Sequence, residues 1–227
     1  MEVGCGAGLL GITLLKTHSI RDYTFTDCHY RVLNFLIHNL QMNFPPVSAE
    51  GIALSSSTSS AASDSLQERI RQTTDGPPML IKEDKVKGTS YHQKINDSGG
   101  EIVVQHLDWT EFNAEDFRKF DVILGSDIVY ERSLIPGLCS VIRNFLTRSE
   151  SSSPGVAYIA CTERSHTTLK CFEEELDKAQ LSHKVIHKLS YSPTETILSS
   201  DVQHQPTRLY RIELAPSSDS PQTSVGL

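Results

Sequence analysis

Near the start of the chain, glycine holds alternate positions in Glu2-Val3-Gly4-Cys5-Gly6-Ala7-Gly8. That spacing lets a backbone turn sharply and lets a ligand approach with no Cβ in its way. The residues that follow, Leu9, Leu10, Ile12 and Leu15, read as a helix. Its free N–H groups and positive dipole end would face an anionic group at the turn. An ordinary tight strand-to-helix turn is the other reading of the same residues. A dinucleotide fingerprint, G-x-G-x-x-G, would put its third glycine where this chain has Leu9. The spacing therefore argues against a nicotinamide dinucleotide.

Three acidic residues follow β-prone runs. Asp27 ends Tyr23-Thr24-Phe25-Thr26, roughly 20 residues past the glycines, where an acidic side chain can bind ribose hydroxyls. A solvated loop aspartate is the alternative. Asp108 ends the run 101–107 and would lie on the same carboxyl edge, where open α/β sheets bind ligands and where it could accept from an adenine amino group. Trp109, the single tryptophan, packs either on such a ligand or on the core. The run 121–125 leads into Ser126-Asp127-Ile128-Val129-Tyr130. Here Asp127 could orient an incoming ammonium and Tyr130 could wall the pocket. The alternative is a helix N-terminal aspartate beside a core tyrosine.

The elements that must position these residues alternate. After the first helix and the strand at 23–26, Val32, Leu33, Leu36, Ile37 and Leu40 mark one helical face over 31–43. Residues 45–100 are rich in Ser, Thr, Asp, Lys and Gly, and 55–60 carry hydroxyls throughout. So little apolar surface cannot offset the entropy of ordering, so this stretch is expected to be a disordered insertion, with a short helix around Leu66 to Ile70. Strands are expected at 101–107, 121–125 and 156–161. One helix is expected with Ser133 as its cap, Pro136 in its first turn and Leu138, Ile142 and Phe145 on its inner face. Leu169, Phe172, Leu176 and Ala179 mark another helix, and 184–191 and 208–214 read as two closing strands. The domain is thus expected to comprise 1–44 and 101–216, with a disordered tail at 217–227. Strand-helix alternation is the pattern of an α/β parallel sheet covered on both faces. Two last strands without a helix between them add an antiparallel pair.

Taken together, E-V-G-C-G-A-G at positions 2–8, L-D-W at 107–109 and D-I-V-Y at 127–130 resemble the seven-β-strand protein-lysine methyltransferases known as methyltransferase family 16. Phe25-Thr26-Asp27-Cys28-His29 running into Arg31-Val32-Leu33 is similar to the branch that methylates a lysine of eukaryotic elongation factor 2. The resemblance implies a class I S-adenosylmethionine (SAM)-dependent, Rossmann-like sheet in the order 3-2-1-4-5-7-6. It implies cofactor contacts at Glu2, Gly4, Gly6, Gly8, Asp27, Asp108, Trp109 and Ser126, and a target-lysine site at Asp127 and Tyr130. It also implies a full first strand before the glycines, of which Met1 to Val3 make only part, so an N-terminally truncated chain with an incomplete first strand is expected. A truncated, non-catalytic SAM-binding fragment, or a methyltransferase for another protein or a small molecule, keeps the same motifs.

Bulk properties narrow the classes. A net charge of −7 gives no support to nucleic-acid binding. Five cysteines without a C-x-x-C pair, and nine histidines with no H-x-x-x-H pair set on a helical pattern, give no metal-ligand set, so no metal is expected. No apolar run approaches the roughly 20 residues that cross a bilayer, and no signal peptide is expected, since Met1-Glu2-Val3-Gly4 carries no basic n-region. A soluble cytoplasmic monomer acting on a protein substrate is the expectation.

Overall fold

In the computed structural model, which describes residues 1–44, 90–94, 100–148, 154–189 and 205–216, these patterns resolve into one mixed sheet with helices packed on it. The chain runs through β1 (Glu2–Val3), α1 (Leu9–Thr17), β2 (Asp22–Asp27) and α2 (Tyr30–Asn43). Then come β3 (Ser90–Lys94), β4 (Glu101–His106), β5 (Val122–Ser126) and α3 (Ile135–Thr147). The last elements are β6 (Val156–Thr162), α4 (His166–Lys178), β7 (Leu181–Leu189) and β8 (Thr207–Leu214).

The sheet order is β3-β4-β2-β1-β5-β6-β8-β7. Without β3 this is the expected 3-2-1-4-5-7-6. β4, β2, β1, β5 and β6 are parallel, so their carboxyl ends share one edge. β8 pairs antiparallel with both β6 and β7. The central β1 is two residues long, with Glu2 opposite Phe25 on one side and Leu124 on the other.

Two clusters form the core. Phe25, Ile102 and Val104 of β2 and β4 pack with Leu33, Leu36 and Leu40 of α2. Ile123, Ile159 and Tyr210 pack with Leu138, Ile142 and Phe145 of α3 and with Phe172 and Leu176 of α4. Each such Leu or Phe contributes about 1.5–3 kcal/mol when fully buried, so the apolar faces expected from the sequence are what hold these helices. α1 approaches β2 closely at Gly11, where a Cβ would lie 2.2 Å from Phe25 Cε1.

Two local expectations change. Residues 90–94 lie inside the stretch expected to be without structure, yet they pair antiparallel with β4, from Ser90 opposite Gln105 to Lys94 opposite Glu101. An edge strand takes its stability from ladder bonds and a few side-chain anchors, so Ser-Tyr-His-Gln-Lys shows no apolar pattern. Its anchors are Tyr91 packed on the first cluster, His92 Nδ1 2.6 Å from Glu101 Oε1, and Gln93 donating to the Phe44 carbonyl. Residues 45–89 and 95–99, with the helix expected near Leu66, lie outside the described residues, as does 217–227. The second change is at α3. Ser133 does not cap it but sits in a 3-10 turn, Arg132–Leu134, where Glu131 Oε1 accepts from both the backbone N and the hydroxyl of Ser133.

Candidate active site

The carboxyl edge of the parallel strands opens into a cleft. Gly4, Gly6, Asp27, Asp108, Trp109, Ser126, Asp127 and Tyr130 all line it. Eight of the ten candidate residues are therefore brought together. The other two, Glu2 and Gly8, are not part of its lining and support it from below.

The glycine turn is built by hydrogen bonds that leave one side open. Cys5 N donates to the Thr26 carbonyl at 2.9 Å, and Gly8 N donates to the Cys5 carbonyl at 2.9 Å. Gly6 has φ +53°, and a Cβ there would meet nothing within 4 Å. A ligand can therefore reach its backbone. Gly8, at φ +84°, faces the other way: a Cβ would lie 2.2 Å from Leu36 Cδ1. Its requirement is packing of the turn on α2.

Glu2 is buried, with 2% of its surface exposed. Tyr23 Oη donates to its Oε2 at 2.8 Å, and Thr26 Oγ1 donates to its backbone carbonyl at 2.8 Å. Burial pushes its carboxyl up to about 7, against the opposing pull of the Tyr23 hydrogen bond. The family resemblance implies a cofactor contact at Glu2. In the structure the residue joins β1 to β2 beneath the turn.

Each of the three acidic candidates is held differently. Asp27, the last residue of β2, accepts from Gly6 N at Oδ2 (3.2 Å) and from His29 N at Oδ1 (3.0 Å). Leu107 N donates to the Asp27 carbonyl at 3.1 Å, which brings the end of β4 alongside. Asp108 Oδ1 accepts from Thr110 Oγ1 at 2.7 Å and Thr110 N at 2.8 Å, and these bonds hold its carboxyl below its usual range. Asp127 follows β5 with φ +56°, a left-handed conformation that an aspartate tolerates better than most residues. Its backbone N donates to the Ala160 carbonyl at 2.8 Å, and its Oδ2 is paired with the Arg164 guanidinium.

The remaining alternatives resolve. Trp109 both packs on the second cluster and lines the cleft. A Cβ at Gly4 would lie 3.4 Å from its Cζ2 and 2.8 Å from Ile128 Cγ2. Tyr130 is 61% exposed and stands at the rim, so it is not a core tyrosine. Asp127 does not open a helix, since α3 begins at Ile135. Cys28, His29, Val32, Ile128 and Leu134 complete the lining. Cys28, His29 and Val32 lie in the branch-like stretch 25–33 and Ile128 lies inside D-I-V-Y, whereas Leu134 carried no signal. Arg164 carried none.

A family model for lysine methyltransferases matches residues 84–179, which include Asp108, Trp109, Asp127 and Tyr130. That stretch is similar to the lysine methyltransferases. Protein-lysine N-methyltransferase EEF2KMT of Mus musculus is 29% identical over 181 residues, covering 79% of this chain and 41% of that protein. Its Homo sapiens counterpart is 27% identical over 187 residues, covering 82% and 44%. The chain thus spans less than half the length of these curated relatives. Among solved structures, the methyltransferase domain of bacterial CtHen1-CN aligns with TM-score 0.51 and 14% identity over 94% of this chain and 88% of that one, a likeness of fold. The similarity to lysine methyltransferases implies a cofactor of the SAM type. The cleft fits one, with open space over Gly6, an anchored carboxylate at Asp27 and an indole wall at Trp109. Among the described residues, no helix is long and apolar enough to cross a membrane.

Proposed function

We propose that this chain transfers a methyl group from SAM to a lysine side chain of a protein, with elongation factor 2 as the substrate. The observation that carries this reading is a single cleft lined by the glycine turn, Asp27 and Asp108 together with Asp127 and Tyr130. In this reading Gly4, Gly6, Asp27, Asp108, Trp109 and Ser126 hold the cofactor, while Glu2 and Gly8 hold the turn. When bound, the cofactor supplies a methyl group on a sulfonium, ready for attack by an amine. The names of the relatives and the likeness of 25–33 to the elongation factor 2 branch support the substrate. Action as a cytoplasmic monomer completes the proposal.

The chain's own residues would prepare the nucleophile. A free lysine holds its proton up to a pKa of about 10.4. Val32, Ile128, Leu134 and Trp109 give the cleft an apolar lining that strips water from the ammonium and favours its neutral form. Asp127 would accept a hydrogen bond from the amine and aim it, and the proton would leave to water at the open rim beside Tyr130. Holding the nitrogen in line accounts for much of the expected acceleration.

The test is incubation of the purified chain with elongation factor 2 and SAM carrying an isotopically labelled methyl group, followed by mass spectrometry of the peptides. A labelled lysine is expected, formed about 100-fold more slowly or less by Asp127→Ala. No incorporation by the unaltered chain, or equal incorporation by the variant, contradicts the reading.

A further inference from the structure

The Asp127 carboxylate does not face the cleft alone. Arg164, 37 residues away, pairs with its Oδ2, and the turn that presents Arg164 is fastened on every side. Asp127 N donates to Ala160 in β6, so the β5–β6 ladder continues one residue past β5 and brings the two chain segments together. Arg164 N donates to the Thr162 carbonyl at 2.8 Å, and Glu163 N donates to the Pro206 carbonyl at 2.8 Å. Glu163 is clamped by Arg208 and by Lys188 Nζ at 3.3 Å. Ser165 Oγ accepts from Thr168 N and caps α4. Both neighbours of Arg164 are thus tied down, and its guanidinium is directed at Asp127.

An unbalanced carboxylate is a poor companion for an amine that must lose a proton. It aims the nitrogen, but its charge favours the ammonium. A cation on the far oxygen of the same carboxylate reduces that field while leaving the other oxygen to accept a hydrogen bond. We propose that Arg164 is a positioning residue: it fixes the Asp127 carboxylate at the cleft rim and offsets part of its charge, so that Asp127 orients the substrate amine without holding it protonated. The proposal rests on the lysine methyltransferase reading above.

Other charged or titratable groups face the same place. Asp27, Cys28, His29, Asp108 and Tyr130 line the cleft, and Cys161 lies behind Asp127 on β6. Glu131 and Arg132 follow Tyr130 in the chain and are exposed. Substituting Arg164 leaves all of them in place, so a change seen on its removal reports the Asp127 pair.

The experiment is the pH dependence of methyl transfer to elongation factor 2 by the unaltered chain, Arg164→Gln and Arg164→Lys. Arg164→Gln should move the alkaline rise of kcat upward by about one pH unit, a loss of about tenfold below the rise that is recovered above it. KM for the protein substrate should stay level or fall, because the ammonium meets a less neutralised carboxylate. Arg164→Lys, which keeps the charge, should return most of the profile. A uniform fall in kcat at every pH, or an unchanged profile, overturns the charge-balancing role while leaving the methyltransferase reading intact. No transfer by the unaltered chain overturns both.

Discussion

Gly6 donates its backbone N–H to Asp27 Oδ2 at 3.2 Å, so the carboxylate that faces the cleft also fastens the glycine turn to the end of β2. His29 N occupies the other oxygen at 3.0 Å. Removing the carboxylate leaves two N–H groups without their acceptor. Asp27→Ala should therefore lower stability by about 1–3 kcal/mol, and Asp27→Asn, which keeps one acceptor oxygen, should lose less. Urea unfolding of the two variants checks the order; equal losses would contradict it.

The glycines should separate by what lies beyond them. Gly8→Ala combines a left-handed backbone at φ +84° with a clash on the fully buried Leu36. A loss of about 2–4 kcal/mol is expected. Gly6→Ala meets open space and should lose only the conformational part, about 1–2 kcal/mol. The measurement is the shift in urea midpoint with the m-value unchanged. A larger loss at Gly6 than at Gly8 would reverse the assignment of the open face.

Glu2 offers a pH signature. Its carboxyl is pushed up to about 7 from an ordinary value of 4.5, chiefly by burial. The folded chain then binds the proton more tightly than the unfolded one. Glu2's share of stability is present below about 4.5, declines as the pH rises to about 7 and is level above it. Carbon-detected NMR of the Glu2 carboxyl should give a midpoint near 7, and Glu2→Gln should flatten that part of the stability profile. A midpoint near 4.5 would mean that the side chain is solvated, not bonded beneath the turn.

Phe145 anchors the segment that carries Asp108 and Trp109. Its ring lies 5.4 Å from both Phe117 and Phe120, edge-on, and 6.1 Å from Phe112. Phe145→Ala should cost about 3–5 kcal/mol and red-shift the fluorescence of Trp109, the single tryptophan. Unchanged emission with lost stability would show that this segment keeps its place without the aromatic cluster.

Features encoded locally were the legible ones. Alternate glycines, an acidic residue at the end of a β-prone run and the D-x-x-Y spacing each lie within a few residues, and each leads to the same cleft. α3 and α4 were readable because Leu138, Ile142 and Phe145, and Leu169, Phe172 and Leu176, recur at helical spacing on buried faces. Features made by tertiary contact were not. Arg164 meets Asp127 only because β5 and β6 are neighbours. β3 is stabilised by its ladder to β4, which polar Ser-Tyr-His-Gln-Lys does not announce. Glu2 stands beside the glycines in sequence but bonds to Tyr23, a partner supplied by the parallel pairing of β1 with β2.

Calorimetric titration of SAM into the unaltered chain and into Asp27→Asn asks whether the cleft over Gly6, beside Asp27, binds SAM. Saturable binding by the unaltered chain is expected, weakened about tenfold or more in the variant, whose side chain has lost the charge that attracts ribose hydroxyls. No binding by the unaltered chain, or equal binding by both, would contradict it.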